Sequence, residues 1–474
     1  MSRTIKKVIV WTVALVVGLP VLLYLILVAI NWPDREPSPL AIKMTEEYRA
    51  NSNGAVDDNG YIDLMGFAVA PGEDPHEMGL KRIEWISRVN KLGKSQAGSD
   101  PQGRAYDFKS KRDAKVQTIS NACNRDSHQR FVGLECLNAM EDTETLTRWI
   151  ESESWLLERY QRLLARSEWV DEAPVYAEVG SEFPPYAVVM DGQKLLLAKV
   201  MVLAKENQIS EMQKLLASDA RFWRRVMSST NILIGKMVAI AALDRHFTMA
   251  NIALRSLSPD AQQKAIPDEW QRPIADEEKS LHKVMIGEWI FAASIMKNIH
   301  GDDWDTLIDP PSVDHAPRRH WYSLLGRPFY KQQATLNNFA DIYSRIGAAG
   351  DVEYQSLPKS IARCDEELRS QFAGTFSIHS AYNPIGQIVV AMSQSLFSNY
   401  IRRVADIEGV RRATLGAVEL REALVKRDQA EVALSSSSQR NPYTKEPFAW
   451  DAKEKLIVFK GLEKGERGEH HIFY

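Results

Sequence analysis

TETLTRWIESESWLLERYQRLLAR, residues 143–166, repeats its apolar side chains on a 3.6-residue period: Leu146, Trp149, Ile150, Trp155, Leu156, Tyr160, Leu163 and Leu164. That spacing gathers them on one stripe and leaves Glu and Arg on the rest, so the stretch predicts one long amphipathic helix. The same pattern extends downstream. Helices are expected over about 187–206, 209–217, 219–256 and 275–299, then near 330–346 and 356–371. Another opens at Asn383-Pro384 and reaches about Arg403, and a last one reaches about Lys426. Upstream, Asp74-Pro75 starts a helix with Asp as N-cap, Pro in the first position and Glu77 in the first turn. Asn59–Phe67 alternates in part and predicts a short strand. In the tail, Pro447–Trp450, Leu456–Lys460 and His471–Tyr474 are short β-branched or aromatic runs between turns. The expected fold is therefore mainly α, a large multi-helix domain of packed helical hairpins closed by a small C-terminal β-hairpin or three-stranded sheet. A faint internal echo agrees: Met201-Val202 returns as Met237-Val238, and Met212 and Leu215 return as Met249 and Ile252.

The N-terminus has a different character. Val8–Ile30 carries no charge, and at about 1.5 Å per residue a helix of that length crosses a hydrocarbon core of about 30 Å. Arg3, Lys6 and Lys7 precede the run. The positive-inside rule then predicts a single-pass signal-anchor in an inner membrane, with residues 1–7 cytoplasmic and the rest periplasmic. A cleaved signal peptide fits less well, because the run is too long and Val28–Pro33 is a poor cleavage site. The division expected is residues 1–7, a transmembrane helix over 8–30, a Pro-rich stalk over 31–45, and a helical domain over 46–474 with a sub-boundary near the prolines of 170–185.

Composition bounds the rest. The chain has 474 residues, 45% hydrophobic and 26% charged, an ordinary globular balance with core enough for two or three domains. A net charge of −3 provides no basic field for nucleic acid. Among three cysteines, Cys123 and Cys136 are close in sequence. A disulfide between them would stabilise by about 3 kcal/mol in an oxidising compartment. Three buried thiols are the alternative at this point. Residues 93–115, rich in Gly, Ser, Asp, Pro and basic side chains, read as a solvated loop.

Each catalytic or metal string fails at a named residue. Gly93-Lys94-Ser95 lacks the earlier glycine of a phosphate loop, since Arg88 stands there. His76-Glu77 lacks the second histidine of a zinc-protease helix, because position 80 is Leu80. Asp57, Asn59 and Gly60 lack the acidic partner of a calcium loop, where Gly66 stands. Ser-x-x-Lys occurs at Ser280, Ser294 and Ser356 without its companion strings. No cofactor and no metal is expected. One pattern is less ordinary. Lys236, in Ile234-Gly235-Lys236-Met237, and Glu288, in Ile286-Gly287-Glu288-Trp289, are single charges inside apolar helices, each behind a glycine that lets a backbone approach. A lone buried charge is costly, so the two are expected to pair, to line one binding pocket, or to reach solvent at the edge of a stripe.

Phe222-Trp223-Arg224-Arg225, Ile234-Gly235-Lys236-Met237, Asn383-Pro384-Ile385-Gly386 and the tail Arg440-Asn441-Pro442-Tyr443 with Pro447-Phe448 resemble a group of uncharacterised proteobacterial single-pass inner-membrane proteins with a large helical periplasmic domain. The resemblance implies topology and brings no activity, cofactor or catalytic residue. The function expected is a non-enzymatic scaffold or protein-interaction protein of the cell envelope, with an envelope protein as partner. The alternatives are an envelope hydrolase using two acidic residues in an interhelical cleft, and a receptor for a small envelope ligand held near Lys236 and Glu288.

Overall fold

The computed structural model describes residues 3–51, 57–92, 94–122, 134–171, 183–297, 325–373, 381–393 and 397–474. The N-terminal part holds α1 (Arg3–Ile30), α2 (Pro39–Asn51), α3 (Gly60–Met65), α4 (Pro75–Leu92), α5 (Lys94–Ala97), α6 (Ala114–Ala122), α7 (Leu134–Glu141), α8 (Thr143–Ser152) and α9 (Ser154–Ala165). The centre holds α10 (Tyr186–Lys205), α11 (Ile209–Ser229), α12 (Leu233–Leu254), α13 (Pro259–Ala265), α14 (Asp268–Gln271), α15 (Asp276–Lys279) and α16 (His282–Lys297). The chain continues through α17 (Gln332–Gly350), α18 (Leu357–Ala373), α19 (Pro384–Ser393), α20 (Phe397–Glu422) and α21 (Ala430–Ser436). It ends in β1 (Ala449–Asp451), β2 (Leu456–Lys460) and β3 (Glu469–Phe473).

Helices α10, α11 and α12 pack on one another, and α12 also meets α16 and α20. That enclosure explains why α12 is apolar on nearly all sides. Helix α16 lies between α12, α17 and α2. One continuous core runs from Ala41 to Phe473, with Trp149, Trp223, Trp270 and Phe247 among its largest buried side chains. The sheet is antiparallel in the order β1-β2-β3, with Trp450 opposite Ile457 and Val458 opposite His471. Two contacts dock it on α20. Gly409 leaves room for the Phe459 ring, which would lie 2.0 Å from a Cβ there. The Asp406 carboxylate accepts from Tyr443 Oη at 2.6 Å and from the Leu462 backbone N–H at 2.7 Å.

Several expectations need correction. No helix among the described residues is long and apolar enough to cross a membrane. The expected transmembrane helix over 8–30, and the single-pass inner-membrane placement drawn from it, therefore fail. The end of α1 is also tied to the remainder of the chain. Tyr24 meets the Phe329 ring edge-on at 5.6 Å, and Asn31 Nδ2 donates to the Ala381 carbonyl at 2.7 Å. The expected stalk over 31–45 is likewise built in. Asp34 accepts from the backbone N–H groups of Gln333 and Ala334 in the first turn of α17, and Ala41 and Met44 of α2 are buried.

The opening stretch forms two helices, not one, because Glu153 turns inward between α8 and α9. It is 4% exposed and accepts from Arg112 Nε at 2.6 Å and Nη2 at 2.8 Å. That pair also takes Arg112 out of the solvated loop expected over 93–115. Within the stretch Asn59–Phe67, Gly60–Met65 is helical rather than a strand. Asn59 Oδ1 accepts from the Tyr61 and Val170 N–H groups and starts α3. The break expected near residue 218 falls instead between α11 and α12, where Asp171 accepts from Thr230 Oγ1 and the Asn231 N–H. Most of the expected sub-boundary, residues 172–182, lies outside the described residues.

Candidate functional site

Two buried polar groupings sit in this core, and they differ in whether their hydrogen bonds are complete. The first is centred on Asp219 of α11 and His246 of α12, both 0% exposed. His246 Nδ1 lies 2.7 Å from Asp219 Oδ2, which also accepts from Gln193 Nε2 at 3.1 Å. Tyr160 Oη donates to Asp219 Oδ1 and itself accepts from Trp223 Nε1 at 2.8 Å. An Asp–His pair has the look of catalytic machinery. Here the remote nitrogen, His246 Nε2, accepts from Trp270 Nε1 at 2.8 Å. That bond fixes a neutral imidazole with its proton on Nδ1 and leaves no nitrogen to act as a base. The grouping is a closed network that ties α9, α10, α11, α12 and α14 together.

The second grouping surrounds a pocket of about 420 Å³. Its floor is the turn between α11 and α12, set by Asp171. Burial pushes the Asp171 carboxyl up to about 6. Asn231 follows in that turn, 5% exposed, and its Oδ1 is buried with no hydrogen-bond partner. Helix α16 crosses directly over the turn, and Gly287 is what permits it. A Cβ at Gly287 would stand 1.8 Å from the Asn231 carbonyl oxygen. The close backbone approach expected at this glycine is therefore real. At Gly235 the neighbours are instead the Thr230 hydroxyl and Tyr186 Oη, at 2.8 and 3.1 Å from such a Cβ.

The next residue, Glu288, faces the pocket. Its Oε1 accepts from the Leu233 N–H at the start of α12 over 3.4 Å, a weak contact. Burial pushes the Glu288 carboxyl up to about 7, against the small downward pull of that N–H. Tyr400 and Arg403 of α20 line another wall, and Tyr48 of α2 closes a side. Arg403 is already engaged: its Nε donates to Glu463 at 2.8 Å, and its guanidinium lies 5.6 Å from the Tyr400 ring centre. Leu233, Met237 and Phe291 give the pocket an apolar interior.

Lys236 is not brought to Glu288. It is 1% exposed, and its Nζ donates to the carbonyls of Met227 at 2.7 Å and Ser280 at 2.5 Å. It closes the end of α11 and the segment before α16, and burial pushes its ammonium down to about 7. Lys236 and Glu288 thus serve separate places. Cys136 is fully buried and disulfide-bonded, and Cys364 is a free buried thiol. Cys123 lies outside the described residues. Among the described residues no group of three or more His, Cys, Asp or Glu is placed to hold a metal ion. A glycosidase-type hydrolase needs two carboxyls about 5–9 Å apart. Glu288 is the one carboxyl among the described residues lining this pocket.

Sequence reasoning singled out Glu288 but missed Asn231, Arg403, Tyr48 and Tyr400. Only Asn231 left a signal, a polar residue at the head of the apolar run Asn231–Leu243. The others come from elements remote in sequence. No protein-family model, curated protein or solved structure matches the chain.

Proposed function

We propose that this protein is a non-enzymatic binding protein that holds a small ligand in the pocket between α2, α12, α16 and α20. The observation that carries the reading is the Glu288 carboxyl, which lines an apolar pocket of ligand size and accepts from the Leu233 N–H over a long 3.4 Å. An under-satisfied buried acceptor costs about 1–3 kcal/mol, and a bound donor would remove that cost. Thermal melts of the full chain against a panel of small polar and amphiphilic fragments test it. Binding raises Tm by mass action. Met237→Trp, which fills the pocket, should abolish the rise. Equal rises in both proteins, or none in either, would count against the reading.

The protein-interaction role expected from the sequence has one separate observation in its favour. Helix α1 leaves Trp11, Leu15, Leu22 and Leu25 between 55% and 73% exposed. Apolar side chains grouped like this favour association. Photocrosslinkers placed at Leu15 and Leu22 should capture one protein in stoichiometric amount, and a failure to capture any protein would remove this reading.

A further inference from the structure

Resting on that pocket, we infer that its ligand is a small amphiphilic amine, whose ammonium group sits at Glu288 and whose apolar part lies against Leu233, Met237 and Phe291. The charge pattern is the first argument. Glu288 is a carboxyl among apolar neighbours, and among the described residues its hydrogen bond is the long contact from the Leu233 N–H. Such a group is costly to ionise unless a cation arrives. The cation among the described lining residues, Arg403, is held by Glu463. Lys236, one turn into α12, points away to the Met227 and Ser280 carbonyls.

Hydrogen-bond chemistry is the second argument. Glu288 offers the pocket an acceptor whose hydrogen bonding is incomplete. An ammonium has three donors and no acceptor, which suits such a carboxyl. A carboxylate ligand would meet that acceptor and gain only from an arginine already paired. The lining is the third. Phe291 and Tyr400 stand with Leu233 and Met237 around the same space. Aromatic faces attract a cation, while the aliphatic side chains take a hydrocarbon tail.

The test uses three probes of one chain length, octylamine, octanol and octanoate, on the full chain and on Glu288→Gln and Met237→Trp, read by thermal shift and by calorimetric titration. The expected result is a clear preference of the wild type for octylamine. Glu288→Gln, which keeps the side-chain shape, should weaken octylamine about tenfold and leave octanol unchanged. Met237→Trp should abolish all three. If octanoate or octanol binds the wild type as well as octylamine does, or if Glu288→Gln leaves octylamine unaffected, the amine assignment is overturned while the pocket stands. If no probe binds, or Met237→Trp binds all three like the wild type, the pocket reading itself falls.

Discussion

The Asp219–His246 grouping and the Asn231–Glu288 pocket are both polar inclusions in one helical core, yet only the first is closed. Asp219 receives Tyr160, Gln193 and His246, and His246 passes the chain on to Trp270. Among the described residues Asn231 Oδ1 receives no hydrogen bond, and Glu288, which lines the pocket, receives one long N–H contact. A satisfied buried network specifies packing, whereas an unsatisfied one lies open to a ligand. The difference teaches that an Asp–His pair at hydrogen-bond distance is no sign of activity until the far nitrogen is accounted for.

The closed network should break hardest. Asp219→Ala leaves Tyr160 Oη and His246 Nδ1 without their acceptor and Gln193 Nε2 with the Ala242 carbonyl alone, and is expected to cost about 3–5 kcal/mol in denaturant unfolding. A loss below about 1 kcal/mol would erase the distinction drawn between the two groupings. Gly287→Ala should come next, at about 2–3 kcal/mol, because its Cβ would collide with the Asn231 carbonyl and push α16 off the turn. Probe binding should fall with it, since that turn is the pocket floor.

Glu288 should show as a slope in pH. Its folded carboxyl titrates at about 7, above its ordinary value. Between about 4.5 and 7 the folded state therefore holds the proton more tightly than the unfolded state does. Stability should fall as pH rises through that window, by about 2 kcal/mol after allowing for contact with pocket solvent. Glu288→Gln should remove its own share of this slope. The other titratable groups around Glu288 are Tyr48 of α2, Lys236 of α12, Tyr343 of α17, Tyr400 and Arg403 of α20, and Asp171 beneath the Asn231 turn. The Glu47–His282 pair joins the same two helices, α2 and α16. Burial pushes Asp171 up to about 6, inside that window, so the slope left in Glu288→Gln is the Asp171 share and Asp171→Asn serves as the control.

Lys236 should show a pH slope of the opposite sign, and its replacement should give the smallest change at pH 7. Its folded ammonium titrates at about 7, below its ordinary value. The unfolded state binds the proton more tightly between about 7 and 10.5, so stability should rise with pH there. Lys236→Met should lose that rise and change stability at pH 7 by only about 1 kcal/mol, because an apolar replacement of similar length removes a buried charge along with its two hydrogen bonds. Denaturant midpoints across pH check both slopes.

The helical class was legible because amphipathic periods such as that of 143–166 are local. So was the tail, where Leu456–Lys460 is a strand with the expected bounds. Breaks were harder to read, because they are made by partners far along the chain. Arg112 draws Glu153 inward and splits the opening stretch, and Asp171 sets the turn at Thr230. The apolar run over 8–30 misled in a related way. Hydropathy registers composition, whereas Asn31 and Tyr24 are tied to residues more than 300 positions away. At the pocket, a charge behind a glycine correctly marked the Gly287–Glu288 crossing. The same pattern at Gly235–Lys236 led to a structural lysine. Sequence alone does not distinguish a carboxyl lacking a partner from an ammonium that has found two carbonyls.

The most direct test of an open, cation-seeking Glu288 is the proton count of amine binding. Octylamine should be titrated into the full chain near pH 7 in buffers of different ionisation enthalpy. An ammonium that docks on the protonated carboxyl displaces its proton to the buffer, so the wild-type heat should vary with the buffer and the Glu288→Gln heat should not. Heats that ignore the buffer in the wild type, or vary equally in both proteins, would contradict the account.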